Sequence, residues 1–418
     1  TSQIREGKCK FKPITIRESG IFSPVVVTNI DLPLTQKLSD SKIDKELIML
    51  GFSLNKFQSL NQIKTIDEIY KTLKSYELLK ELNAEIPAQI LQNTQNIHKT
   101  LSELNNFKKP ISIDSLREFN ELSILKGTAG SNEYPSKFKE YIRAHEKEEL
   151  IINNKIQDYL RIINKFGIKQ VDYIPCVKVI NSLIGFIKGI NNFWEKDEAN
   201  QQKNPPHFEL FWKNLTNEII FNNPIDRDNQ SFSAYSYPFE TEGMLFEFKS
   251  EMICEWLYEN KLIPSRISPQ STQEFLLTLN PKDEPIIFQH IFNLLHTFSH
   301  MLIKRIHLFT GMSIESCGEK IFVNGCSIFL YSNNNLNIGA LQYLFENSMF
   351  SSAGIFENLK QEIKDCSFDP LCMSEKGACF SCLYIPEFVC CNFNMGLDRN
   401  IFVGNGLRGI IKPFWSIQ

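Results

Sequence analysis

No G-x-x-x-x-G-K-[ST] segment occurs in the 418 residues, so the chain has no glycine-rich loop to cradle the phosphates of ATP. Also missing are H-E-x-x-H, G-x-S-x-G and the kinase signature set, as is the H-x-E with P-C-x-x-C of zinc deaminases. The chain carries no recognisable engine, which leans the reading away from an enzyme.

An excess of positive charge is lacking too. Lys and Arg number 45 against 48 Asp and Glu, for a net charge of −3. No global positive field draws the chain to nucleic acid or an anionic membrane, so any DNA contact is local or shared with a partner. No fully apolar run reaches the ~18 residues of a membrane span, and the start, TSQIREGKCKFKP, is no signal peptide. The expectation is a cytoplasmic protein with no membrane partner. Residue 1 is Thr, and Lys8-Cys9-Lys10 looks like the end of an earlier element. The expected chain therefore begins partway into a longer protein.

What is present is cysteine, and it is clustered. Six of the 11 cysteines fall between Cys366 and Cys391, around the knuckle Cys379-x-x-Cys382. Such a turn brings two thiolates to one side of the backbone, and a cysteine on either side completes a tetrahedral Zn²⁺ shell with sulfurs at about 2.3 Å. Buried free thiols are the plain alternative, since Cys packs as a small hydrophobe. A redox dithiol fits less well, because it is usually a lone Cys-x-x-Cys. A clustered, reducible set suits the cytosol.

The expected fold is α+β and predominantly helical. Residues 1–36 hold an extended run, Ser23-Pro24-Val25-Val26-Val27-Thr28, that reads as a strand. Residues 37–167 read as helical, with Ile66, Ile69, Tyr70, Leu73, Leu78, Leu79 and Leu82 at three-and-four spacing and a further helix opening at Pro87. Residues 168–284 look mixed: Val177 to Phe193 is apolar, Leu245 to Phe248 alternates like a half-buried strand, Met252 to Leu262 is helical, and a Pro-containing connector follows. Residues 285–418 read as a C-terminal α/β domain. It starts with a long helix, Phe288 to Phe309, apolar almost all round. Two strands follow, Lys320 to Val323 and Ser327 to Tyr331, joined through the hairpin signal Asn324-Gly325. A helix at 352–364 precedes the cysteines.

The long helix places His296 and His300 at i and i+4 on one face, with His307 further along. The pair can bind a metal or a substrate. It can equally be two satisfied polar residues in a buried helix. The basic groups Lys304-Arg305, Arg408 with Lys412, and Lys137 to Arg143 read as solvated faces.

Several segments occur together in one order: Leu295 to Lys304, Gly318 to Phe322, Ile328 to Tyr331, Cys366 to Cys372, Ala378 to Leu383, Pro386 to Cys390 and Leu397-Asp398-Arg399. This order resembles the C-terminal domain of the DrmB family of DISARM anti-phage defence systems, a domain of unknown function that also closes MrfA-type repair helicases. Ser23 to Pro33 and Tyr235 to Glu259 are similar to earlier parts of the same family. The resemblance implies a structural zinc site. Aligning Leu397-Asp398-Arg399 makes Cys390 the last ligand, with Cys379 and Cys382 as the knuckle. Cys372 is taken as the fourth, being nearer the knuckle than Cys366, which is the substitute. The chain departs from the family at Phe380, where a His is usual, and at Asn334 to Leu341, where the family has a glycine-rich stretch.

The resemblance further implies a non-catalytic defence subunit that partners a superfamily-two helicase of DrmA type and helps position foreign DNA. The competing expectations are a metal-dependent nuclease or hydrolase using His296 and His300 with Glu319, and a pure assembly scaffold. Asp398 and Arg399 are further candidate functional residues.

Overall fold

The computed structural model describes residues 22–30, 138–188, 219–221, 235–333 and most of 339–417, with isolated positions between 115 and 126. The helices expected around 66–82 and after Pro87, and the loops at 197–206 and 222–231, lie outside the described residues, as do Asn334 to Asn337 and Arg408.

Among the described residues, one antiparallel sheet organises the fold. Its strands are β1 (Phe22–Ile30), β2 (Ile168–Lys188), β3 (Ile219–Phe221), β4 (Tyr235–Phe248), β5 (Cys317–Phe322) and β6 (Ser327–Ser332). They run in the order β1-β2-β4-β6-β5, with β3 paired to β2. The described residues are thus mixed α+β, with more strand than the sequence led one to expect. The difference arises in the 21-residue β2. Its long apolar composition does not separate strand from buried helix by periodicity, and only pairing with β1 and β4 decides it.

Side chains of the central strands alternate between two apolar layers, as a two-residue period requires. Met244, Phe246 and Phe248 of β4, with Ile328 and Leu330 of β6, face the main core. Leu245, Phe329 and Tyr331 face a smaller cluster with Ile30, Leu122 and Leu125. Leu245 to Phe248, expected to be half-buried, is covered on both faces. Glu247 sits on the second face because Lys126 and Lys169 hold its carboxylate at 2.8 and 2.7 Å.

Helices α1 (Phe138–His145) and α2 (Glu149–Phe166) precede β2. α2 buries Ile156, Tyr159, Ile162, Ile163 and Phe166 at helical spacing and ends where Gly167 adopts φ +73°. After β4 come α3 (Ser250–Glu259) and α4 (Thr272–Leu277), then α5 (Pro285–Thr310). α5 starts at Pro285, whose fixed φ suits a first helical turn, and packs across β5 and β6. Among the described residues it alone is long and apolar enough to cross a membrane by length and composition. Yet 72% of its most apolar window is buried inside the protein, the placement of a core helix.

The β5–β6 hairpin forms as the sequence indicates, with Ile321 opposite Ile328 across a turn at residues 323–326. The Asn324 side chain fastens that turn by donating to Leu276 O and Leu279 O at 2.7 and 2.8 Å. The helix expected at 352–364 shrinks to one turn, Leu359–Glu362, because Asn358 takes a left-handed φ of +56° just before it. The sheet draws strands from both sides of residue 284, and the main core runs from Phe138 to Ile417.

Candidate metal centres

The cysteine segment folds against the C-terminal end of α5. Cys366 opens a turn in which its N–H donates to Asp369 Oδ2 at 3.1 Å. Cys372 lies on a short helix, α6 (Leu371–Glu375), held by its N–H to Phe368 O. Gly377, at φ +67°, then reverses the chain toward the knuckle. Within the knuckle, Cys379 N–H points at Cys382 Sγ (3.2 Å), and Leu383 and Tyr384 both donate to Cys379 O at 2.9 Å. Lys304 closes it from α5, its ammonium donating to Phe380 O and Ser381 O at 3.0 and 3.3 Å.

The sulfurs of Cys366, Cys372, Cys379 and Cys382 all lie within 4.8 Å of one another. Cys372–Cys382 is 3.8 Å, Cys379–Cys382 3.7 Å and Cys366–Cys379 3.4 Å. A disulfide would need about 2.05 Å. Four sulfurs about 2.3 Å from a tetrahedral ion stand about 3.8 Å apart. The set therefore has the dimensions of a four-thiolate metal site.

Positive charge converges on it. Arg399, fully buried at the N-terminus of the one-turn helix α7 (Asn400–Val403), donates to Asp369 Oδ1 at 2.6 Å and to Cys372 Sγ at 3.5 Å. Its other amino group reaches Ile363 O and Lys364 O. Burial raises the Cys379 thiol, but the Cys382 amide and the Cys366 thiol outweigh it and bring the value down to about 7. Burial pushes Cys372 up to about 11, even with Arg399 opposing.

Cys390 is not part of this set. After the knuckle the Asn394 side chain brackets Ile385, accepting its N–H at 3.0 Å and donating to its carbonyl at 2.8 Å. That turn swings the chain back toward the middle of α5. There Cys390 Sγ lies 3.1 Å from His296 Nε2, and with His300 and Glu319 it forms a second group whose ligand atoms all fall within 4.8 Å. The expected ligand Cys390 is thus replaced at the four-sulfur site by Cys366, the substitute. The family alignment of Leu397-Asp398-Arg399 points to Cys390, but the loop between the knuckle and Cys390 reverses direction, while Cys372 keeps its expected place beside the knuckle.

His296 and His300 are completely buried, and Glu319 and Cys390 are 2% and 5% exposed. Burial lowers the His296 pKa below its ordinary value, favouring the neutral imidazole. His307 stays apart and donates to Met312 O. Asp398 and Arg399 serve the architecture. Asp398 Oδ1 caps the N–H of Asn400 at 2.9 Å, and its own N–H donates to Thr297 Oγ1 on α5. Of the basic groups, Arg305 pairs with Glu362 at 2.8 Å and Lys412 with Glu259, so both are engaged within the fold.

No family model matches the chain. The DISARM protein DrmB of Bacillus paralicheniformis is 31% identical to it over 179 residues. Over that stretch the chain is DrmB-like. The match covers 39% of this chain and 31% of that protein, so it spans about a third of the relative's length.

Proposed function

We propose that this chain is a non-catalytic component of a DISARM-type anti-phage defence complex, in which a zinc-stapled module serves a helicase-type ATPase supplied by a partner and helps position foreign DNA. The similarity to DrmB carries the reading. The four-thiolate cluster supports it physically: the residues fit Zn²⁺, a d¹⁰ ion with no redox chemistry, in a closed structural site. Zinc binding in such modules contributes on the order of 10–16 kcal/mol of folding free energy.

Exposed apolar side chains on the cysteine loops offer a docking surface for that partner. Phe368 is 60% exposed, Leu371 59% and Phe380 80%. The test is co-purification with a DrmA-type helicase subunit. The expected outcome is a stable complex that Phe380→Asp weakens while metal content stays unchanged. Purified alone, the chain should neither hydrolyse ATP nor cut DNA. Robust intrinsic cleavage, abolished by His300→Ala, would instead support a metal-dependent nuclease. Burial of the histidine cluster weighs against that reading, since a catalytic metal keeps an open position for water.

A further inference from the structure

The geometry points to a second metal ion, bound by His296, His300, Glu319 and Cys390 in a closed, four-coordinate structural centre of zinc type. The donor set is two imidazole nitrogens, one carboxylate oxygen and one sulfur, all ligand types that Zn²⁺ accepts. Three separate elements supply it: α5, strand β5 and the loop after the knuckle.

Each donor is oriented from behind. His296 Nδ1–H donates to Met395 O and His300 Nδ1–H to Leu383 O, both at 2.9 Å. A backbone carbonyl only accepts, so both rings carry their proton on Nδ1, and both Nε2 lone pairs turn inward. This is the outer-shell arrangement that fixes metal-binding histidines. Ser299 Oγ–H donates to Glu319 Oε2, leaving Oε1 at 3.3 Å from both Nε2 atoms. Cys390 Sγ accepts the N–H groups of Asn392 and Asn394 at 3.3 and 3.1 Å, a pattern that stabilises a thiolate. The spacings of 3.1 to 3.3 Å approach the roughly 3.3–3.5 Å between donors about 2.0–2.3 Å from a tetrahedral ion.

Without a cation these inward atoms are acceptors facing acceptors in a fully buried space. Such an arrangement is costly unless something positive lies between them. A proton shared between an imidazole and the carboxylate is the competing answer. The two differ in metal content. Four protein donors complete a tetrahedral shell, so the ion would brace the fold and not act on a substrate.

The inference is independent of the defence reading and of the four-cysteine site, and one set of measurements separates them. Zinc is quantified by elemental analysis in the full chain, alone or in its complex, and X-ray absorption is recorded on the same unmutated sample. The expected result is two zinc ions per chain, with a mixed shell of five sulfur and three nitrogen or oxygen donors over the two. One ion per chain in an all-sulfur shell would overturn the second centre while leaving the four-cysteine site intact. His296→Gln should drop the content to one ion and leave an all-sulfur spectrum. Cys379→Ser should instead leave an ion with mixed ligands. Two ions retained in soluble His296→Gln, with an unchanged absorption edge, would also refute the assignment.

Discussion

His296 Nε2 lies 3.1 Å from Cys390 Sγ, although 94 positions separate the two residues. That contact divides what looks like one cysteine cluster into two chemically different groups, one entirely of sulfur and one mixed. It also draws the middle of α5, the β5–β6 hairpin and the cysteine loops into one unit. Four predictions follow from the packing around these groups.

Cys382→Ser should remove one metal ion and melt the cysteine-rich module. The serine hydroxyl is a poor zinc ligand, and the three remaining thiols, within 4.8 Å of each other, cannot complete the four-sulfur shell. Thermal unfolding and elemental analysis check it. Full zinc content with an unchanged melting curve would contradict the ligand assignment.

Arg399→Met should destabilise the protein by about 3 kcal/mol, the scale for breaking a buried ion pair. The guanidinium is fully buried and joins Asp369, Cys372 and the carbonyls of Ile363 and Lys364. Methionine fills similar volume but leaves those acceptors unmet. Denaturant unfolding measures the loss, and a chelator competition should show weaker metal retention.

Gly377→Ala and Gly311→Ala should differ sharply although both glycines have φ near +70°. A Cβ at Gly377 would stand 2.3 Å from Asp398 Oδ1, while at Gly311 nothing lies within 4 Å. Gly311→Ala is expected to cost about 1 kcal/mol, the backbone penalty alone. Gly377→Ala should cost clearly more, since Asp398 must also give up its cap on Asn400. Equal melting temperatures for the two variants would show that the Asp398 contact is readily relieved.

Glu118 makes stability depend on pH. Its carboxyl group accepts the Asn324 N–H at 2.9 Å behind the hairpin turn, and burial pushes its pKa up to about 8, well above the ordinary glutamate value of about 4.5. A carboxyl with a raised folded-state pKa favours the folded state at low pH. Its contribution falls as pH rises from about 4.5 to about 8, where the unfolded chain ionises and the folded one resists. Glu118→Gln stays neutral throughout and still offers an accepting oxygen. Its melting temperature relative to the parent should therefore rise between pH 5 and pH 8; a flat difference would show Glu118 ionised in the folded state.

Much of the local structure was written in the order of residues. Apolar periodicity over 285–310, the Asn324-Gly325 turn and the β-branched run at Val25-Val26-Val27 specify α5, the hairpin and β1, because near-neighbour sterics and side-chain spacing act within a few positions. The Cys379-x-x-Cys382 knuckle likewise announces a thiolate site, since its two sulfurs meet by local geometry alone. Long-range pairing has no such signature. The 21-residue β2 becomes a strand only because β1 and β4 satisfy its backbone on both sides. Cys366 joins the four-sulfur group, and Cys390 joins His296, through a loop reversal at Ile385 and Asn394. Which ligands share an ion is a matter of distance in space, and only the packed core sets that distance.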